Sequence, residues 1–262
     1  VTSGNVAQPS VLTSSFVTGT INCNGGSTNV YITANGGTAP YSINGTGISG
    51  SSNMNAGPNS YSVVAGPYSY TVTDANGCKS VISGTMTQPT VLTANSSAGT
   101  ILGFGLTTTV NVTANGGTPA YTGTGVYTVG VGPYSYTVTD ANGCAVVVTG
   151  TLTQPNLLVA ASSHNSVICN GGTATVNVSA TGGVGPYTGT GVYTVTAGAY
   201  SYTVTDANGN TAVTSGNVAQ PSALTTTSSA GSINCNGGST NVSISANGGT
   251  APYSINGTGI SG

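Results

Sequence analysis

A thirteen-residue segment that recurs along the chain constrains the fold more than any other feature. The segment GPYSYTVTDANGC occurs at residues 66–78 and again, unchanged, at 132–144. A third copy at 198–210 reads GAYSYTVTDANGN and lacks the final cysteine. Self-similarity of this kind is typical of repeat proteins, in which each copy is one structural unit. The chain is therefore predicted to fold as a tandem array of similar units.

A recurring Gln-Pro pair marks the boundaries of the repeats, at Pro9, Pro89, Pro155 and Pro221. These boundaries predict the final strand of a preceding repeat (1–9), a long repeat (10–89), two short repeats of equal length (90–155 and 156–221) and the first strands of a further repeat (222–262). The insert of the long repeat has about the length of one hairpin. Residues 1–50 match 213–262 at 41 of 50 positions, so a superunit of one long and two short repeats is also predicted.

The pattern within a repeat predicts an all-β fold. Short runs that alternate apolar with Ser or Thr residues are bounded by Gly, Asn and Pro, as in strands joined by turns. In YSYTVTD, Tyr134, Tyr136 and Val138 share one face of a strand. We expect these tyrosines to lie in a core rather than to form a sugar-stacking platform.

The DANG sequence that follows this strand predicts a tight turn, because Asp binds nearby backbone N–H groups and Asn-Gly tolerates a positive φ. The predicted structural turn residues are Asp74, Asp140, Asp206, Gly77, Gly143 and Gly209. A calcium site at the aspartates is the alternative, but calcium takes six to eight oxygen ligands and each repeat offers one carboxylate. Turn formation is therefore the preferred interpretation.

The composition argues against whole classes of function. Charged residues make up 2% of the chain, against roughly 25% in an ordinary globular domain. Nucleic-acid binding needs clustered Lys and Arg, and acid–base catalysis needs convergent ionisable groups. We therefore expect no enzyme activity, no catalytic residues, no cofactor, no metal site and no nucleic-acid partner. No apolar run has the length of a membrane-spanning helix, which takes about 20 residues.

GGTAPYSI, followed by GPYSYTVTDANGC and a Gln-Pro boundary, resembles the SprB-type repeat of large cell-surface adhesins in gliding Bacteroidota. The similarity covers every repeat, although this chain has no Trp and an irregular set of cysteines. The resemblance implies tandem immunoglobulin-like β-sandwiches. It also implies export to the cell surface and a part in adhesion or gliding motility.

The five cysteines occupy two positions of the repeat. The first turn (CNGG) carries Cys23, Cys169 and Cys235, and the last turn (DANGC) carries Cys78 and Cys144. Gly103 stands at the first-turn position of the second repeat, and Asn210 stands at the last-turn position of the third. Any rule for disulfide pairing must account for these two replacements.

Three pairing rules are possible. Pairing within a repeat would join Cys23 to Cys78, and pairing each last turn with the next first turn would join Cys144 to Cys169; both leave other cysteines without partners. Pairing each first turn with the last turn of the following repeat joins Cys23 to Cys144 and matches the two replaced positions with each other. The partners of Cys78, Cys169 and Cys235 are then expected outside residues 1–262.

The number of strands bears on the same choice. An odd number of strands places the entry and exit of a repeat at opposite ends, so that the first turn of one repeat lies against the last turn of the next. Seven strands are plausible in a short repeat, and one added hairpin in the long repeat keeps the number odd. We therefore favour disulfides between repeats, with bonding inside each repeat as the alternative.

The predicted function is structural. Disulfides fit an extracellular location, and strands without charged residues favour pairing at sheet edges. We expect a load-bearing filament or adhesin stalk at a bacterial cell surface, in one long chain or self-associated into a fibre, with surface polysaccharide as a further partner. The alternative, from another class, is a polysaccharide- or ice-binding repeat module.

Overall fold

The structure is a computed structural model that describes residues 3–48, 52–54 and 57–257. All of its regular secondary structure in these ranges is β-strand, and the strands pair antiparallel in small sheets. No described residue belongs to a helix that is long and apolar enough to cross a membrane. The all-β fold class is therefore confirmed.

The described part of the long repeat, residues 10–89, forms seven strands in two sheets. The strands are β1 (Thr13–Thr18), β2 (Ser27–Asn35), β3 (Tyr41–Gly45), β4 (Ser52–Met54), β5 (Asn59–Val64), β6 (Gly66–Thr73) and β7 (Lys79–Met86). One sheet has the order β1-β2-β5 and the other has the order β4-β3-β6-β7.

Both sheets of the long repeat contribute to one hydrophobic cluster. Val30 and Ile32 of β2 are fully buried, and so are Ile43 of β3 and Tyr70 and Val72 of β6. Each alternates with exposed or half-buried neighbours in its strand, as expected when one face of a strand is covered. Burying a Val or Ile side chain stabilises the fold by about 1.5–3 kcal/mol, so the two sheets hold each other through the aliphatic part of this cluster.

The two short repeats have five strands each. The second repeat contains β8 (Thr93–Ala98), β9 (Thr108–Asn115), β10 (Gly125–Val129), β11 (Gly132–Thr139) and β12 (Ala145–Leu152). The third contains β13 (Val159–His164), β14 (Thr173–Thr181), β15 (Gly191–Thr196), β16 (Gly198–Thr205) and β17 (Thr211–Val218). The sheets have the orders β10-β9-β8 and β11-β12, then β13-β14-β15 and β16-β17.

The strand number therefore differs from the seven considered plausible for a short repeat. In the long repeat, β3 pairs with β6 over four residues and continues to β4. In the short repeats the equivalent chain makes one isolated bridge, Thr122 to Thr139 or Thr188 to Thr205. Because the short repeats lack the insert that follows this position in the long repeat, the chain enters β10 or β15 directly. The number of strands among the described residues is still odd in both kinds of repeat.

The remaining described residues contain the hairpin of β18 (Thr225–Ala230) and β19 (Val242–Asn247). Contacts between Cα atoms divide the whole chain into two compact units. One comprises the residues up to Gly99 together with Thr108–Leu152, and the other comprises Thr100–Thr107 together with the residues from Thr153 onward.

The tyrosines of the recurring segment lie between the two sheets of a short repeat. Tyr136 of β11 stacks on Tyr127 of β10 with ring centroids 4.1 Å apart, and Tyr202 of β16 stacks on Tyr193 of β15 at 4.2 Å. Val138, on the same face as Tyr136, is fully buried. Stacked aromatic pairs contribute about 0.5–1.5 kcal/mol beyond their buried area. These tyrosines therefore belong to the core.

The first tyrosine of the segment covers a glycine on the neighbouring strand. Tyr134 lies directly opposite Gly150, and a Cβ atom at Gly150 would overlap the Tyr134 phenol. The Tyr134 hydroxyl lies 3.0 Å from Ser96 Oγ on β8, so the ring reaches across to the other sheet. The same cross-strand pairs occur at Tyr68–Gly84 and Tyr200–Gly216.

We predict that Gly150→Ala lowers the free energy of unfolding by about 1–3 kcal/mol, the usual cost of overpacking. The added methyl group must displace the Tyr134 ring from its position. Gly130→Ala is the matched control, because nothing lies within 4 Å of a Cβ atom at Gly130; its effect should stay within about 0.5 kcal/mol. Equal effects of the two substitutions in urea denaturation would contradict this packing.

Candidate functional site

The candidate site is formed by two turns of the repeat, and the last turn is built around a buried aspartate. Asp140 follows β11 and is 6% exposed. Its Oδ2 accepts a hydrogen bond from Thr118 N at 2.9 Å, and its Oδ1 accepts bonds from Asn142 N and Cys144 N, both at 2.9 Å. Gly143 has φ +83°, a conformation that L side chains rarely adopt. The DANG sequence thus folds around one carboxylate.

The other two last turns repeat this arrangement. Asp74 accepts bonds from Thr38 N, Asn76 N and Cys78 N at 3.0, 3.0 and 2.8 Å. Asp206 accepts bonds from Val184 N, Asn208 N and Asn210 N at 3.0, 2.9 and 2.8 Å. Gly77 and Gly209 have φ values of +82° and +86°.

These donors hold the pKa of each aspartate below its ordinary value, because a hydrogen bond to the charged form favours it. The largest cause is the backbone N–H of Thr38 for Asp74, the backbone N–H of Thr118 for Asp140, and the side-chain amide of Asn210 for Asp206. Desolvation by burial acts in the opposite direction and raises the pKa in all three. The carboxylates are therefore ionised turn anchors at neutral pH.

The donors also bear on the calcium alternative. Both oxygens of Asp140 are already bonded to N–H groups of its own repeat. Across the described ranges, no group of three or more His, Cys, Asp or Glu side chains is placed to hold a metal ion. The arrangement of each aspartate is that of a structural cap.

The first turn of each full repeat is bonded to the glutamine that ends the same repeat. The bonds run from Gly25 N to Gln88 Oε1, from Gly105 N to Gln154 Oε1 and from Gly171 N to Gln220 Oε1, at 2.7, 2.8 and 2.8 Å. In the first and third repeats an asparagine of the turn also donates to the following proline carbonyl, as Asn24 does to Pro89. The first turn therefore lies where the chain leaves the repeat.

The last turn lies at the opposite end, where the chain enters the repeat. Gly117 N donates to Thr90 O at 3.0 Å, and Ala141 N donates to Thr118 O at 3.0 Å. These two bonds hold the last turn of the second repeat close to Thr90, which begins that repeat. Since Pro89 precedes Thr90 directly, the first turn of one repeat and the last turn of the next come together.

A disulfide joins the first such pair of turns. Cys23 and Cys144 are bonded, with their Cα atoms 5.7 Å apart and a sequence separation of 121. Asn142 Nδ2 donates a hydrogen bond to Asn22 O at 3.0 Å across the same contact. The structure thus contains the bond between a first turn and the last turn of the following repeat.

The second pair of turns has no cysteine. Asn208 Nδ2 and Asn210 Nδ2 both donate to Leu102 O, at 2.8 and 2.9 Å. Gly103 is buried, and a Cβ atom added there would overlap the Asn210 side chain. Gly103 and Asn210 therefore face each other at the positions that Cys23 and Cys144 occupy in the first pair.

The other three cysteines are free and exposed. Cys78 lies in a last turn, and Cys169 and Cys235 lie in first turns. Their expected partners outside the chain remain a prediction. Cys23 and Cys144, in contrast, are half-buried. This difference is expected, because their two turns contact each other and the turns of the three free cysteines have no cysteine-bearing partner turn among the described residues.

Two elements of the site were missed by sequence reasoning. Gln88, Gln154 and Gln220 mark the repeat boundaries in the sequence, and in the structure each also closes the first turn of its repeat. Asn142 belongs to the predicted DANG turn, but its amide also donates to Asn22 O in the first turn of the preceding repeat. Gln recurs in every Gln-Pro boundary and Asn in every DANG turn, and this recurrence was the sequence signal that could have indicated their structural roles.

Comparison with known proteins adds no family assignment. No protein-family model matches this sequence, and no curated protein matches it. The SprB-type resemblance therefore remains a prediction drawn from the repeated motifs.

We predict that stability is constant between about pH 5 and pH 8 and falls only below about pH 4, the ordinary range of an aspartate pKa. The folded-state pKa of each aspartate is lowered. Its contribution is therefore complete above the unfolded-state pKa and is lost as the pH falls through the folded-state pKa. Thermal unfolding followed by circular dichroism across this range measures the effect.

Asp140→Asn should lower the unfolding temperature at pH 7, because an amide places N–H donors where Oδ atoms accept bonds. It should also make the acid decline less steep, because one titrating group is removed. A decline that already begins between pH 7 and pH 5 would contradict the assignment of the acid response to the aspartates.

Proposed function

We propose that the chain is a structural repeat region of an extracellular filament or adhesin stalk at a bacterial cell surface, and that it carries load through cross-linked turns. The observation that carries the proposal is the Cys23–Cys144 disulfide between a first turn and the last turn of the next repeat. The bond joins two repeats that each have their own paired strands, so it adds a covalent link between neighbouring repeats.

The bond changes how tension passes along the chain. When the two ends are pulled, force that reaches Cys23 crosses the disulfide to Cys144. The residues between them cannot be extended while the bond is intact. The first repeat beyond its first turn, and most of the second repeat, are thereby protected from unfolding under load. This protection is useful in an array that must keep its length.

Other features support an extracellular stalk. Disulfides persist in oxidising compartments, and the SprB-type resemblance points to surface adhesins. The two sheets of the long repeat, ordered β1-β2-β5 and β4-β3-β6-β7, support an immunoglobulin-like assignment. A chain with 2% charged residues has few ion pairs for salt to screen, so its contacts should tolerate changing ionic strength.

The tyrosines favour this proposal over a polysaccharide-binding module. Tyr136 and Tyr202 stack on Tyr127 and Tyr193 inside their repeats, so those faces are not offered to a sugar ring. The short repeats therefore use these aromatic residues for packing.

We predict that reducing agent lengthens the fully unfolded chain by about 400 Å in single-molecule pulling. The bond joins residues with a sequence separation of 121, and an extended residue spans about 3.3–3.6 Å. Cys23→Ser/Cys144→Ser should show the full length without reductant. The matched control Cys78→Ser/Cys169→Ser/Cys235→Ser should behave like the oxidised wild type.

Equal lengths with and without reductant would contradict the proposed load path. The binding alternative is tested separately on a glycan array and by ice affinity. The proposal expects no specific binding to the glycan array or to ice. Specific binding by the folded chain would contradict the stalk and support the binding module.

A further inference from the structure

The two turn pairs have the same geometry but different bonds. Asn142 of the last turn donates to Asn22 O in one pair, and Asn208 donates to Leu102 O in the other. The side-chain amide of the DANG turn thus reaches the same first-turn carbonyl in both. What differs is the neighbouring position, where a disulfide in the first pair is replaced by Gly103 and Asn210.

The spacing at this replaced position is that of a disulfide. A Cβ atom built on Gly103 lies 2.9 Å from Cγ of Asn210. In a disulfide with an S–S bond of about 2.04 Å, the Cβ atom of one cysteine lies about 3 Å from the Sγ atom of the other. The Asn210 side chain therefore occupies the place that a bonded sulfur would take.

The second pair is held by contacts that water can replace. The two amide bonds to Leu102 O are exposed, and Phe104 and Leu106 of the same turn remain 55% and 49% exposed. Phe104 borders an open pocket with Leu157 and Leu158. No covalent bond closes this contact.

Each turn of the second pair keeps its shape without the other. Gly105 N is bonded to Gln154 Oε1, and Asn208 N and Asn210 N are bonded to Asp206 Oδ1. Separating the pair breaks the amide bonds to Leu102 O and exposes Gly103. It leaves the strands and turn anchors of both repeats intact.

We propose that the Gly103–Asn210 turn pair is a releasable joint, which opens and closes while the repeats stay folded, whereas the Cys23–Cys144 pair is locked. The inference rests on the proposed function, since the difference between a locked and a releasable joint affects how an array extends under load. Local opening of this kind is favoured where the hydrogen bonds that hold a contact are exposed to solvent, and both amide bonds of the second pair are exposed. The joint gives the array extension at low force before any repeat unfolds.

The test is limited chymotrypsin digestion at Leu102 and Phe104 of the full chain. The parent protein carries Cys78→Ser, Cys169→Ser and Cys235→Ser, so that no exposed thiol interferes. The test variant adds Gly103→Cys and Asn210→Cys, and oxidised glutathione converts the two introduced thiols to a disulfide with release of two reduced glutathione molecules. Cleavage in the oxidised variant is compared with cleavage after reduction, and the parent is given the same treatments.

The proposal expects the introduced thiols to bond and cleavage to slow by about an order of magnitude or more in the oxidised variant. Reduction should restore cleavage. Gly103→Ala should accelerate cleavage, because its methyl group overlaps Asn210, and Gly130→Ala should leave the rate unchanged.

Failure of the introduced thiols to bond, or equal cleavage of the oxidised and reduced variant, overturns the releasable joint. Neither result depends on the pulling experiment, which tests the Cys23–Cys144 pair. If pulling shows the shorter length of the disulfide-bonded chain but digestion shows no opening at Gly103, the proposed function stands and the releasable joint is wrong.

Discussion

The contact between the first turn of one repeat and the last turn of the next is the constraint on which the arrangement depends. It requires that the two turns lie at opposite ends of a repeat. Gln88 fixes the first turn at the exit through Gly25, and Thr118 fixes the last turn at the entry through Asp140. With both ends defined, a single cysteine position on each turn is enough to link neighbouring repeats.

A chain with almost no charge makes these contacts with few ionised groups and many neutral ones. Three carboxylates each anchor one last turn through backbone N–H donors. Asn and Gln amides supply the remaining bonds between and within turns, and tyrosines fill the space between sheets. The structure therefore depends on directional hydrogen bonds and aromatic packing, which are less sensitive to salt than surface ion pairs.

Local features of this fold could be predicted from the sequence, because their causes are local. The alternation in YSYTVTD places Val138 inside, and the DANG turn follows from Asp140 and Gly143. The number of strands could not be predicted, because a single bridge at Thr122 or a full strand depends on the length of the segment that follows. The role of Gln154 could not be predicted either, since its partner Gly105 is distant in sequence.

The most direct test of the account is a non-reducing chymotryptic digest of the native chain with mass spectrometry of the linked peptides. Cleavage after aromatic residues, Leu and Met places Cys23 in residues 17–31, Cys78 in 71–86 and Cys144 in 137–152, so each cysteine is identified by its own peptide. The account predicts a cross-link between 17–31 and 137–152. A cross-link between 17–31 and 71–86 would contradict it, because the disulfide would then close a repeat on itself instead of joining it to the next.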